Sequence, residues 1–259
     1  MGGSISIFKA ALIILALWVC SAEGYVRPAH IREEIWNEVE PYLIEETDPV
    51  KEILDEIFTP FRAILTDKSL KKAGFTNAVP RKWTHVIVTT HPRLPGYVIK
   101  LYLDVQRYFK QVPEYVHWIQ RIQGRNLIEQ LLDQNGWNHL FKVPKKWIYV
   151  LPAKPLPPKE FIRKNFLLIE EDMEILADNE NHEAWNGEKV TQEFLDIFYT
   201  LLETGGLRDM AKPANAPFCK DGKIAFIDTQ GFYDWPVSYY KLHSFLSPEM
   251  LKHWKKLTK

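Results

Sequence analysis

The chain has 259 residues, with 33 Lys and Arg against 33 Asp and Glu, a formal net charge of zero, and 46% hydrophobic residues. This length and composition are typical of a globular chain that can bury a full core, which excludes wholesale disorder. The zero net charge argues against a dedicated nucleic-acid-binding protein. Two cysteines without a C-x-x-C pair exclude a disulfide scaffold and a small zinc-cluster domain.

Residues 1–22 have the layout of an export signal. Lys9 precedes an unbroken apolar run over residues 10–19, and the small residues Ser21 and Ala22 follow it. This pattern predicts a signal peptide that is cleaved after Ala22, so the mature chain would be secreted or exported without a stable membrane span. The alternative is a retained membrane anchor through residues 5–20.

Two helices are predicted at the start of the mature chain. Apolar residues recur every four positions over residues 31–43, and a second apolar stripe covers residues 50–58. Asp48 is a good N-cap for the second helix, and Pro49 suits its first turn. We expect a helical N-terminal extension over residues 29–72.

An antiparallel hairpin and a long helix are predicted next. Residues 83–88 and 97–103 are rich in β-branched and aromatic side chains, and the turn-forming residues 89–96 separate them. A long helix then opens at Pro113 and ends near Gly136.

The second half of the chain is predicted to contain two more strands, a helix and a short hairpin. The strands cover residues 147–151 and 166–169, with a proline-rich linker between them. Thr191 can cap a helix that the two glycines at 205–206 stop, and a tight-turn signal predicts a hairpin over residues 216–227. This order indicates a strand-rich lobe joined to a mostly helical one.

The residues with the clearest chemistry lie in one stretch, residues 206–232. Arg208-Asp209 is followed by Asn215, and Asp228 comes thirteen residues later at the end of the predicted hairpin. This pattern resembles the catalytic loop and the metal-binding aspartate of the protein kinase-like superfamily. The resemblance implies that Asp209 orients an acceptor hydroxyl, and that Asn215 and Asp228 bind Mg²⁺ against the phosphates of ATP.

The resemblance also implies further nucleotide contacts. Lys100 is a lone cation inside an apolar strand, as the phosphate-binding lysine of kinases is. Glu129, on the long helix, is the best candidate for its ion-pair partner, and Glu114 is a poorer one. The last predicted strand runs into a hinge around Glu171 and Met173, where backbone groups would contact adenine.

The implied fold is α+β, a two-lobed protein kinase-like fold in a single domain over residues 23–259. An antiparallel-sheet N-lobe would span about residues 74–172 and a reduced helical C-lobe about residues 173–259. The implied function is that of an exported phosphotransferase, which uses ATP and Mg²⁺ to phosphorylate an unidentified protein or small-molecule hydroxyl.

Departures from the kinase pattern keep a second function open. No glycine-rich loop precedes Lys100, Leu207 stands at the histidine position, and the loop from Asp209 to Asn215 is one residue longer than usual. Only 31 residues follow Asp228. The alternative is a catalytically inactive kinase-fold binding protein, and a third possibility is a secreted structural protein of unrelated α+β fold.

Overall fold

The computed structural model describes residues 25–80 and 86–259, and only the backbone of residues 77–80. The predicted signal peptide, the alternative anchor over residues 5–20 and residues 83–85 of the first predicted strand therefore lie outside the described residues. Across the two described ranges, no helix combines the length and the apolar character needed to cross a membrane.

Helices and strands occur mostly in separate runs along the described chain, and the class is α+β, which confirms that part of the prediction. The helices are α1 (Glu33–Val39), α2 (Pro49–Phe58), α3 (Asp67–Lys72), α4 (Glu114–Asn135), α5 (Asp178–Asn186), α6 (Gln192–Gly205) and α7 (Pro248–Leu257). The strands are β1 (Thr76–Pro80), β2 (Ile87–Thr90), β3 (Tyr97–Leu101), β4 (Phe141–Lys142), β5 (Lys146–Val150), β6 (Phe166–Glu171) and β7 (Ile224–Ala225).

The main sheet has five strands in the order β1-β2-β3-β6-β5, and every neighbouring pair is antiparallel. The predicted hairpin is β2–β3, although β2 extends to Thr90 because Thr89 still pairs with Ile99. The turn is therefore shorter than expected, and Gly96 closes it with φ 82°. Strand β1 was not predicted from the sequence.

The helix boundaries follow local capping chemistry. The backbone N–H of Val50 donates to Asp48 Oδ1 at 2.8 Å at the start of α2, and Thr191 caps α6 in the same way through Phe194. Gly136 and Gly206 end α4 and α6 in the left-handed conformation. The first predicted helix is shorter than expected, because α1 gives way to a 3₁₀ turn at Glu40–Tyr42 that contains a proline.

In the described part of the chain, hydrophobic residues pack in three clusters. Helices α2 and α3 cover one face of the sheet, whereas α1 and the first half of α4 cover the other face. The third cluster joins the second half of α4 to α5, α6, α7 and the residues around β4 and β7. Helix α4 therefore contributes to the cores on both sides of the space between the sheet and the C-terminal helices.

Candidate functional site

The alternation of side chains along the strands places three charged residues on one face of the sheet. In β3, Ile99 and Leu101 pack under α2 and α3, so Lys100 points to the opposite face. In β5 and β6, the same alternation turns Lys146 and Glu170 towards that face. Because side chains alternate between the two faces of each strand, two cations and one carboxylate from three neighbouring strands lie on the same face of the sheet.

Glu170 binds both lysines. Its Oε1 lies 2.7 Å from Lys100 Nζ, and its Oε2 accepts a hydrogen bond from Lys146 Nζ at 2.7 Å. Both ammonium groups also donate to the carbonyl oxygen of Ile227, at 2.8 and 3.1 Å. Burial alone would raise the pKa of Glu170, but the charges of Lys100 and Lys146 lower it below its ordinary value. The carboxylate is therefore held in its ionised form.

The side chain of Lys146 has no exposed surface. Burial lowers the pKa of Lys146 to about 8, a shift that Glu170 partly opposes and that the positive charges of Lys100 and Arg121 increase. Lys146 is therefore the member of the cluster whose charge changes near neutral pH.

We expect the pH dependence of stability to differ between the wild type and Lys146→Met. Above pH 8, folded Lys146 has lost its proton while the unfolded chain, with its ordinary pKa of 10.5, still holds one. Unfolding in this pH range takes up a proton, so raising the pH disfavours unfolding. The free energy of unfolding of the wild type should therefore rise relative to that of the variant by about 2 kcal/mol between pH 8 and about pH 9.5. Urea unfolding across this range measures the difference, and parallel curves for the two proteins would contradict it.

A second ion pair closes the other side of the same space. Arg121 lies on the buried stripe of α4, and its guanidinium donates to Asp228 Oδ1. The side chain of Asp228 is 36% exposed. Burial raises the pKa of Asp228, but the nearby cations Arg121, Lys100 and Lys146 outweigh that effect and lower it. Asp228 is therefore ionised and already has a positively charged partner.

Backbone packing fixes α4 against the segment that carries Asp228. A Cβ at Gly124 would lie 1.8 Å from the carbonyl oxygen of Thr229, so only glycine permits this approach. The Thr229 hydroxyl in turn donates to the carbonyl oxygen of Arg121. These contacts hold the Arg121 backbone and the Asp228 backbone in a fixed relation.

The predicted hairpin over residues 216–227 is present and places Asn215 next to Asp228 in the chain fold. The N–H of Cys219 donates to the Lys223 carbonyl at 2.8 Å across a turn in which Gly222 has φ 81°. At the open end, the N–H of Ile227 donates to the Asn215 carbonyl at 3.0 Å. The two predicted metal ligands therefore flank the base of one hairpin.

Lys100, Glu170, Arg121, Asn215 and Asp228 line one cleft between the sheet, α4 and the hairpin base. The cleft has a volume of about 760 Å³ when its open mouth is included. Its lining residues are Val86, Val88, Val98, Lys100, Arg121, Glu170, Glu171, Asp172, Met173, Ile175, Ala214, Asn215, Ile227 and Asp228.

Five of the seven predicted site residues line this cleft: Lys100, Glu171, Met173, Asn215 and Asp228. Asp209 does not line it. The Asp209 side chain is 51% exposed and forms an ion pair with Lys241, although its carbonyl oxygen accepts a hydrogen bond from the Asn215 amide at 3.0 Å. Asp209 therefore contacts the lining residue Asn215 through its backbone, and its own side chain does not line the cleft.

The prediction that Glu129, or less favourably Glu114, forms the ion pair with Lys100 is wrong. Glu129 forms an ion pair with Arg125, one turn earlier on the same helix, because side chains at i and i+4 are neighbours on a helix surface. Glu114 is buried, and its Oε1 accepts backbone hydrogen bonds from Asn165 and Phe166. Lys100 is paired with Glu170 instead.

Sequence reasoning missed three members of the cluster: Arg121, Lys146 and Glu170. Arg121 had a usable signal, because it is a charged residue three positions after Trp118 and three before Gly124 on the buried stripe of α4. Lys146 and Glu170 lie at the ends of apolar strands, where a charged side chain is ordinarily exposed. Only the register of β5 against β6, which pairs these two residues directly, brings them together.

The arrangement fits a divalent cation poorly. Mg²⁺ is usually held by one or two carboxylates together with substrate phosphates. Asn215 and Asp228 both line the cleft and carry side-chain oxygens, but Asp228 is engaged by Arg121 and lies close to two lysines. Within the described ranges, no group of three or more His, Cys, Asp and Glu side chains is placed to hold a metal.

Comparison with known proteins gives no family for the chain. No family model matches the sequence, and a search of curated proteins finds no match.

Proposed function

We propose that the protein has a two-lobed kinase-like fold and binds a nucleoside triphosphate in this cleft. The observation that carries the proposal is that Lys100, Asn215, Asp228 and the hinge residues Glu171 and Met173, which were selected from sequence by their resemblance to kinases, line the same cavity. Residues from distant segments of the chain, which the resemblance assigns to one nucleotide site, therefore meet in one cavity.

The order of elements supports the proposal. A β2–β3 hairpin that carries the lysine is followed by the long helix α4, by two further strands, and by a hairpin that ends at Asp228. In the proposed fold, the nucleotide would occupy the cleft, whose lining includes residues of the sheet and of the chain that leaves β6. In this proposal the N-lobe comprises about residues 74–172 and the C-lobe about residues 173–259.

The chemistry of the lining suits both ends of a nucleotide. Lys100 and Arg121 line the cleft and offer charged donors to phosphate oxygens. Val86, Val88 and Ile175 also line it and offer apolar surface that a planar base could pack against. A ligand with a flat apolar part and a strongly anionic part matches this mixed lining.

A second candidate is phosphoryl transfer to a hydroxyl acceptor with ATP and Mg²⁺. It is favoured by Asn215 and Asp228, which both line the cleft, and by Asp209, whose backbone the Asn215 amide contacts. In this candidate Asn215 and Asp228 would hold the metal, after Asp228 had separated from Arg121, and Asp209 would orient the acceptor. Export and the identity of the acceptor stay predictions from the sequence.

We expect ATP to stabilise the wild type and to have no effect on Lys100→Met. A ligand at a hundred times its dissociation constant adds about 2.7 kcal/mol to the free energy of unfolding, and the variant lacks the ammonium group that contacts the phosphates. Thermal unfolding with increasing ATP, with and without Mg²⁺, measures this effect.

Lys220→Met is the matched control, because Lys220 is exposed and pairs with Glu174 outside the cleft. It should keep the full ATP-dependent shift. Absence of any shift in the wild type under both metal conditions would rule out the proposed function. Transfer of labelled phosphate from ATP to casein, to glucose or to the protein itself separates the two candidates, since only the second predicts it.

A further inference from the structure

The ion-pair cluster around Asp228 contains one more cation than carboxylates, although Glu171 and Asp172 also line the cleft. The cluster contains three cations and two carboxylates: Lys100, Lys146, Arg121, Glu170 and Asp228. Lys100 and Lys146 both pair with Glu170, and Arg121 pairs with Asp228. A dication brought to Asp228 would have to displace or approach these positive charges.

Arg121 lines the cleft and also has unused hydrogen-bonding capacity. The residue is only 7% exposed and lines the cavity, and within the described chain its Nε–H has no hydrogen-bond partner. Buried donors without a partner are rare in folded proteins and mark places where a ligand or water completes the contact. An arginine can bind two oxygens of one phosphate while remaining charged at any pH.

We propose that Arg121 takes the role of the divalent cation, so that the cleft binds the metal-free nucleoside triphosphate. This inference rests on the proposed function. The free triphosphate carries more negative charge than its Mg²⁺ complex, and Lys100 and Arg121 are the cations of the cleft lining that can pair with it. Lys100 and Arg121 contact the phosphates from two sides, and Glu170 holds Lys100 in position.

Three variants test this assignment. Arg121→Gln removes the charge and leaves Asp228 without its partner, so the affinity for ATP in EDTA should fall about tenfold or more. Asp228→Asn removes a negative charge next to the phosphates, so the affinity in EDTA should be equal or higher. Arg125→Gln is the matched control, because Arg125 lies one turn further along α4, pairs with Glu129 and does not line the cleft.

Isothermal titration calorimetry of the full chain with ATP, in EDTA and in excess MgCl₂, gives the readout. We expect the wild type and Arg125→Gln to bind in EDTA at least as tightly as in Mg²⁺. Circular dichroism and the unfolding midpoint of each variant confirm that it is folded, and Asp228→Asn keeps the test decisive if Arg121→Gln does not fold.

The outcomes separate the inference from the function on which it rests. Binding that requires Mg²⁺ and is lost in Asp228→Asn would overturn the role of Arg121 and leave the nucleotide site intact. Binding in EDTA that Arg121→Gln does not weaken would overturn it as well. No binding of ATP under either condition would remove the proposed function and this inference together.

Discussion

Replacing Asp104 with alanine should lower the free energy of unfolding by about 3–5 kcal/mol. Asp104 follows β3 and is fully buried. It accepts hydrogen bonds from Arg62 Nε at 2.7 Å, from Arg62 Nη2 at 2.9 Å and from the backbone N–H of Lys164 at 2.8 Å. The alanine variant would leave the Arg62 guanidinium buried without its carboxylate. Urea unfolding of the variant and the wild type measures the loss.

A double variant separates the loss of stability caused by one unpaired buried charge from the net contribution of the ion pair to the free energy of unfolding. Arg62→Met with Asp104→Leu removes both charges, and we expect it to be more stable than Asp104→Ala alone, because no buried charge is left without a partner. Lys220→Ala, at an exposed ion pair, should change stability by less than about 1 kcal/mol. A double variant as unstable as the single one would show that shape, and not charge, explains the loss.

Replacing Phe198 with alanine should also cost about 3–5 kcal/mol, because it leaves a cavity in the largest core cluster. Phe198 lies on α6 and is fully buried. Its ring packs at 6.0 Å from that of Phe141, at 5.3 Å from that of Trp185 and at 6.2 Å from that of Phe226. Phe226 comes two residues before Asp228, so this core supports the hairpin that positions the carboxylate.

Phe198→Leu keeps most of the buried volume and should lose much less stability than Phe198→Ala in the same urea titration. Tyr240→Ala removes an aromatic ring that is 67% exposed and should be close to neutral. Equal losses for Phe198→Leu and Phe198→Ala would mean that the aromatic contacts, and not the volume, carry the stabilisation.

The predicted elements agree with the structure where a local signal defines them. Asp48, Thr191 and Gly206 each act at a helix end through contacts with residues a few positions away, so the sequence contains the whole signal. Strand β1 lacked such a signal and was missed. It exists because the edge of β2 offers hydrogen-bonding groups, and Thr76 and Thr90 are paired across the two strands.

The candidate site was predicted in part for the same reason. Lys100, Asn215 and Asp228 could be selected by their residue types and spacing, and they do line one cleft. The partner of Lys100 could not be selected, because it is Glu170 on the neighbouring strand β6. The sequence alone does not show which residue of another strand faces the lysine. Arg121, which faces Asp228 across 107 residues of chain, was missed.

The sequence by itself determined the α+β class, the boundaries of α2, α4 and α6, the two hairpins and the residues around which a site could form. These depend on interactions between residues close in the chain, or on side-chain periodicity that any window of sequence contains. Only the tertiary structure decided which charges meet. The register of β6 against β3 and β5 places Lys100 and Lys146 next to Glu170. The close backbone approach that Gly124 permits holds Arg121 beside Asp228. Electrostatic pairing depends on distances of a few ångströms between distant segments, and no local pattern encodes those distances.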